Sequence, residues 1–405
     1  MKQLGVLVAA AVVGMATGIP ATTALAADTI MIGFTVSETG ALNVDSTGQI
    51  NGFNLWREQV NAAGGIKVGG KFYQVAFKTY DDQSKSDRVQ QLYSRLILQD
   101  NADFLFSPYS SGLTATAAVI SEQYGKVMIT TGAAEDKTYQ LGNKYLFQMY
   151  TPASHYLTGA LDALKARNPA AKLAVAYADD GFSKAVVSAA RVYAKSIGIE
   201  VVFDEAYAKG TTDFSPIINK IITSKADALV GGGHYADGAT LARQLYDQKA
   251  PVKFMSLLVA PDSPKFADMG EAALHVAVPS QWQPQATYKP VFGPDSAAFT
   301  KAYKDKYGVE PSYHAAGGYA AGLLLQHAVE QAGTIDTEKV TTALNATDAM
   351  LFFGHIKFAT ESERHGLQIG HEMVQAQWQK KGEALIKEVV WPREGQTADF
   401  AYPIR

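Results

Sequence analysis

Apolar and polar positions along the chain fall into short runs of strand period separated by longer stretches of helical period. Residues 29–36, TIMIGFTV, form an apolar run that ends in the polar SETGAL. Residues 48–65, GQINGFNLWREQVNAAGG, place apolar side chains at helical spacing and stop at a Gly-Gly pair. Residues 71–83 alternate as a strand does, after a turn at Gly69-Gly70. Residues 86–100 predict a helix with Ser86 as its N-cap. The strand ADFLFSP follows, then a helix from about Gly112, strands over 126–133 and 144–152, and a helix from SHYLTG.

The same rhythm restarts at residue 172. KLAVAYADD, IEVVFDEAY, ADALVGGG and VKFMSLLVA predict strands, with helical stretches between them. Strands alternating with helices of this length predict parallel sheets covered on both faces. Two such runs predict an α/β protein of two doubly wound lobes. After about residue 276 the rhythm changes to a turn-rich segment, helices at SAAFTKAYKDKYG, HAAGGYAAGLLLQHAVEQAG and DTEKVTTALNA, and a terminal hairpin. Helices placed after a second lobe need a sheet to cover, so the chain is expected to return to the first lobe and cross again.

Length agrees with two lobes: 405 residues exceed one ordinary domain. The formal net charge is -3, with no run of like charges, which excludes a polybasic nucleic-acid or lipid footprint. Lys2, the apolar LGVLVAAAVVGMA, Pro20 and the ALA at 24–26 have the layout of a cleavable export signal. Cleavage is expected after Ala26, giving a periplasmic protein. No later segment approaches the ~18 uninterrupted apolar residues of a membrane span. The chain has no cysteine, which excludes thiol catalysis, thiolate metal sites and a thioether lipid anchor.

Candidate chemistry gathers where predicted strands end. In FLFSPYSSGLT, Tyr109, Ser110 and Ser111 stand between a strand and a helix. Hydroxyls and free amides at a helix N-terminus form an anion site, although serine is also a favoured plain cap. Asp237, in GGGHYADGATL, and Phe182, in ADDGFSK, each stand at the mouth of a helix in the second lobe. Asp237 reads equally as a helix cap, and Phe182 as a hydrophobic staple. The chain lacks G-x-G-x-x-G, Walker, H-E-x-x-H and G-x-S-x-G motifs, and its eight histidines are scattered. No enzyme, cofactor or metal is expected.

GALNVDSTGQINGFNLWREQVNAAGGI, SPYSSGLTATAAVISEQYGKVMITTGAA, DFSPIINKIITSKADALVGGGHYADGATLARQL, FTKAYKDKYGVEPSYHAAGGYAA and FGHIKF together resemble the type I periplasmic solute-binding proteins of ABC importers. The likeness is to the leucine/isoleucine/valine-binding group. It covers nearly the whole chain, through many weak motifs in order. The resemblance implies two Rossmann-like lobes joined by three crossover strands, with the ligand between them. On that basis lobe one is expected over 27–149 and 278–355, and lobe two over 150–277 and 356–405. Crossings are expected near Phe147–Pro152, Val276–Gln283 and Gly354–Phe358.

The resemblance also implies roles. Ser110 or Ser111 would hold a ligand carboxylate, with Tyr109 as a ring wall. Ala134 stands where the family has a second hydroxyl, which leaves the backbone amides of Ala133 and Ala134 as donors. Asp237 would take the α-ammonium. Phe182 would cap the ligand, and Tyr150 and Trp282 would line its side-chain pocket, with core packing as the alternative. The expected ligand is a branched-chain, hydrophobic or aromatic amino acid. Alternatives are an aromatic carboxylic acid or a small amide or urea on the same fold, or a ligand-sensing receptor domain. The expected partner is a membrane permease; the chain itself is expected to be a monomer without membrane insertion.

Overall fold

The computed structural model describes Met1 and residues 28–404. The expected export segment over 1–26 lies, Met1 apart, outside the described residues. The first half runs β1 (Thr29–Val36), α1 (Asn43–Ala62), β2 (Ile66–Val68), β3 (Lys71–Asp81), α2 (Ser86–Leu98), β4 (Phe104–Phe106), α3 (Ser111–Gln123), β5 (Met128–Thr130) and β6 (Leu146–Gln148). Its sheet has the order β2-β3-β1-β4-β5-β6. All pairs are parallel except β2 with β3. Nearly all of β1 and every residue of β4 and β5 are buried or nearly so, which is why their sequences read as unbroken apolar runs.

The second half runs α4 (Thr158–Arg167), β7 (Lys172–Ala178), α5 (Gly181–Ser196), β8 (Glu200–Tyr207), α6 (Ser215–Thr223), β9 (Ala228–Gly232), α7 (Tyr235–Asp247), β10 (Phe254–Leu257) and β11 (Ala277–Ser280). The chain then builds α8 (Ser296–Tyr307), α9 (Tyr313–Ala332), α10 (Thr337–Asn345) and a small hairpin, β12 (Asp348–Leu351) with β13 (Gly354–Lys357). It ends in a second hairpin, β14 (Val374–Lys381) with β15 (Ala384–Trp391). The second sheet has the order β15-β14-β11-β10-β9-β7-β8. Two doubly wound α/β lobes therefore stand side by side, as the strand–helix rhythm predicts.

The returning helix α9 lies along α1, and glycine makes the approach possible. A Cβ on Gly52 would fall 2.1 Å from the Ala315 carbonyl oxygen, and one on Gly322 would fall 2.1 Å from the Trp56 ring. These contacts tie the helices after β11 to the first sheet.

Three segments pass between the sheets and are tied to one another. The Thr151 amide donates to Gln281 Oε1 at 2.9 Å, and the Thr151 hydroxyl meets His371 Nδ1 at 2.7 Å. The third passage comes later than the sequence indicates. Gly354–Phe358, the expected crossing, holds β13, and Phe358 then bridges Gln368. The chain stays beside β6, where the Gln148 amide donates to the Gly366 carbonyl at 2.9 Å, and enters the second sheet at Val374. Gly354 has a φ of 141°, and the His371 ring packs where a Cβ would stand, 2.6 Å from it. Among the described residues no helix is long and apolar enough to cross a membrane.

Candidate functional site

Strand ends of both lobes converge on the seam between them, as the ligand sites of open α/β sheets do. In lobe one, β4 leads through Ser107 and Pro108 to Tyr109. Tyr109 is buried between lobes, its ring edge-on to His314 at 5.0 Å and to His234 at 5.6 Å. Its hydroxyl meets His234 Nδ1 at 3.1 Å, and burial pushes its pKa well up. Ser110 has a φ of 90°, strained for a residue with a Cβ. It is the N-cap of α3, its Oγ accepting from the Leu113 amide at 3.4 Å. The next two amides, Ser111 and Gly112, lie in the first turn, where a helix supplies no acceptor.

Ser111 turns the other way. Its Oγ accepts from the amides of Ala134 and Glu135, both at 3.1 Å. The loop after β5 is thus stitched to α3. The Ala133 carbonyl accepts from Tyr139 at 2.9 Å. Tyr150, after β6, stacks on Phe353 at 5.8 Å, and its buried hydroxyl faces the Thr131 hydroxyl and the Gly132 backbone.

In lobe two, Asp180 caps α5, accepting from the Ser183 amide at 2.8 Å. Phe182 packs its ring 5.3 Å from Tyr156 and 5.9 Å from His234. His234 is the N-cap of α7 and lies 3.8 Å from an Asp180 oxygen. Asp237 closes a capping box: its Oδ1 accepts from the His234 amide at 2.9 Å. Its Oδ2 accepts from the Tyr207 hydroxyl at 2.5 Å. Burial first, and Asp237 second, push the Tyr207 pKa well up.

Two carboxylates reach across the seam in opposite senses. Asp45, in the first turn of α1, accepts at Oδ2 from the Tyr235 amide, the first residue of α7, at 3.3 Å. Asp262, after β10, accepts at Oδ2 from the Tyr313 amide, the first residue of α9, at 2.7 Å. A carboxylate at a helix N-terminus is favoured by the helix dipole. Asp262 is also satisfied within its own lobe by Lys387 at 3.0 Å and Gln283 at 2.8 Å. Asp45 has no such support, and burial pushes its pKa up to about 6 against the opposing effect of His234.

A cavity of about 330 Å³ opens at this seam, lined by Leu42, Ser110 and Leu113 from one lobe and by Asp180, Phe182 and Asp237 among others from the second. Of the residues singled out from sequence, Ser110, Phe182 and Asp237 meet at this cavity. Tyr109 and Tyr150 stand behind it at the seam. Ser111, the first residue of α3, and the loop carrying Ala133 and Ala134 stay outside the cavity lining, the Ser111 hydroxyl accepting from the Ala134 amide. Trp282 lies elsewhere: it is buried, donates from Nε1 to Ser296 at 3.1 Å and packs on Phe299 and Phe352. It is a core residue. Asp45, Asp180 and Asp262 escaped the sequence reading. For Asp180 the signal was present, since aspartate before Gly-Phe-Ser is a plain N-cap pattern.

Residues 29–383 match the family described as Periplasmic binding protein. Among curated proteins, Leu/Ile/Val-binding protein homolog 7 of Brucella melitensis is 22% identical over 340 residues, covering 81% of this chain and 84% of that one. The leucine-, isoleucine-, valine-, threonine- and alanine-binding protein of Pseudomonas aeruginosa is 24% identical over 336 residues, covering 82% and 87%. Among solved structures, the branched-chain amino acid transporter substrate binding protein of Streptococcus pneumoniae, in complex with isoleucine, aligns with a TM-score of 0.75 at 24% identity, covering 90% of this chain and all of that one. A solute binding protein of R. palustris in complex with benzoate aligns with a TM-score of 0.73 at 18% identity, covering 89% and 95%.

Proposed function

The chain belongs to the periplasmic binding protein family, and from that premise we propose that it captures an amino acid with an apolar side chain for an ABC importer. The observation that carries this reading is the unlike chemistry of the two cavity walls. One wall is the N-terminus of α3, with Ser110 and first-turn amides, which favours a carboxylate. The facing wall carries Asp180 and Asp237 beside His234 and Lys209, and Asp45 stands at the seam outside the cavity lining; the three carboxylates favour an ammonium. Leu42, Leu113 and Phe182 supply apolar surface between them. A zwitterion satisfies both walls, and it does so fully when the lobes are closed. That difference in affinity between the two forms drives closure.

The protein is then a periplasmic carrier rather than a catalyst. It acts with a membrane permease that receives the closed, loaded form. The curated relatives that bind leucine, isoleucine and valine support this assignment.

A second reading, an aromatic acid, is favoured by the ring cluster of Phe182, Tyr156, Tyr109 and His234. The R. palustris neighbours solved with benzoate and 4-hydroxybenzoate lend it weight. The acidic wall opposes it, because a ligand without an amine leaves those carboxylates facing another anion. Calorimetric titration of ligand-stripped protein with leucine, isoleucine, valine, phenylalanine, benzoate and 4-hydroxybenzoate decides between the two. An amino acid at 100 times its Kd is expected to add about 2.7 kcal/mol of stability. Binding of the benzoates alone refutes the amino-acid reading, and conversion of any ligand to product refutes the carrier.

A further inference from the structure

We propose that Asp45 reads the ammonium group of the ligand and that Asp237 is a structural cap. This inference rests on the amino-acid reading of the cavity. Both Asp237 oxygens already hold donors of their own lobe, the His234 amide at 2.9 Å and the Tyr207 hydroxyl at 2.5 Å. These bonds fix the start of α7 and do not depend on a ligand.

Asp45 is in the opposite condition. Its residue is 3% exposed, yet among the described residues its one hydrogen bond is the 3.3 Å contact from the Tyr235 amide to Oδ2. Oδ1 remains for another donor. A buried carboxylate needs a cation or several donors to offset its desolvation. Of the basic groups at the seam, Lys387 is committed to Asp262. His314 is held neutral, its pKa pushed down to about 3 by burial. His234 already meets Tyr109 and Asp180. The raised Asp45 pKa agrees with a carboxylate short of positive charge.

A second observation points to the same guest. One helical turn on, at i+4 and so on the same face of α1, Gln49 Oε1 is buried with no hydrogen-bond partner. Gly132 lets the chain pass close to that atom, since an added Cβ there would fall 2.7 Å from Gln49 Oε1. Among the described residues, Asp45 Oδ1 and Gln49 Oε1 are thus two acceptors on one face of α1 without a donor. An ammonium brings three donors and no acceptor. Asp45 then holds the second lobe with one oxygen and the ligand with the other, so it couples recognition to closure.

The test is calorimetric titration of wild type, Asp45→Asn and Asp237→Asn with two matched pairs: leucine against 4-methylpentanoate, and phenylalanine against 3-phenylpropanoate. Each second member lacks only the amine. The readout is the ratio of Kd values within a pair, which a merely structural lesion would not change. Wild type is expected to prefer the amino acid by roughly 100-fold, and Asp45→Asn to lose at least about 10-fold of that preference. Asp237→Asn is expected to lower Tm and weaken both members alike. Preference intact in Asp45→Asn, or lost in Asp237→Asn, overturns the inference while the amino-acid reading stands. Should Asp45→Asn fail to fold, the Asp237→Asn ratio decides. Wild type that binds neither amino acid overturns the amino-acid reading, and this inference with it.

Discussion

Binding of an amino acid should expel a proton, and the amount follows from Asp45. Burial raises its pKa from 3.8 to about 6 in this structure. The protonated carboxyl is therefore the favoured state there. Its contribution to the stability of that form is fully present below pH 3.8 and is lost as pH rises through 6. A shift of that size is worth about 3 kcal/mol. An ammonium at Oδ1 favours the charged carboxylate and returns its pKa toward the ordinary value. At pH 6 the group is half protonated before binding and almost wholly ionised after it, so ~0.5 proton leaves per ligand; at pH 7 the figure is ~0.1. Affinity should then rise roughly 10-fold between pH 5 and pH 7 from this group alone. The groups facing Asp45 are Tyr109, His234, Asp237 and Asp262, and Asp45→Asn separates its share from theirs. The assay is titration calorimetry with leucine at pH 6 in two buffers of unlike ionisation enthalpy. Equal proton release in wild type and Asp45→Asn, or proton uptake, would refute the reasoning.

Three further outcomes follow from the packing. Ser111→Ala removes the acceptor of two loop amides and should cost about 1–3 kcal/mol in urea unfolding, weakening amino acids and their deaminated analogues by the same factor. Lys387→Met strands the buried Asp262 carboxylate and should lower stability by about 3–5 kcal/mol, whereas a loss under 1 kcal/mol would show that Gln283 and Ser280 suffice. Trp282→Phe breaks the 3.1 Å bond to Ser296 in the core; it should lower stability by about 1–3 kcal/mol and leave the leucine Kd within twofold, as a residue remote from the cavity must.

The strand–helix rhythm was legible because parallel strands buried on both faces read as plain apolar runs, and β1, β4 and β5 are such strands. The loop after β4 was legible for a related reason, since a helix mouth rich in hydroxyls follows a strand end. Which serine faces the cavity was not. A φ of 90° at Ser110 sets its direction and sends Ser111 inward, and no property of two adjacent serines announces it. Asp237 met the same limit: its partners are an amide three residues back and Tyr207, thirty positions away in sequence. Trp282 finds Ser296, Phe299 and Phe352 only once α8 has returned to lobe one. Asp45 was missed because GALNVD reads as a polar loop, whereas α1 begins at Asn43 and carries Asp45 in its first turn.

The two carboxylates that cross the seam are alike in geometry and unlike in consequence. Each approaches the first amide of a helix in the opposite lobe, and each is buried. Asp262 keeps Lys387, Ser280 and Gln283 whether or not Tyr313 is in reach. Opening the lobes therefore removes one donor from a carboxylate that retains several, and its contact adds little to the choice between open and closed. Asp45 has one long hydrogen bond across the seam and no such set of partners in its own lobe. A carboxylate buried with so little in return is costly to ionise, which is why burial raises its pKa to about 6. A guest that brings a cation to Oδ1 removes that penalty, so the residue least satisfied in the empty protein is the one through which a ligand has most to gain.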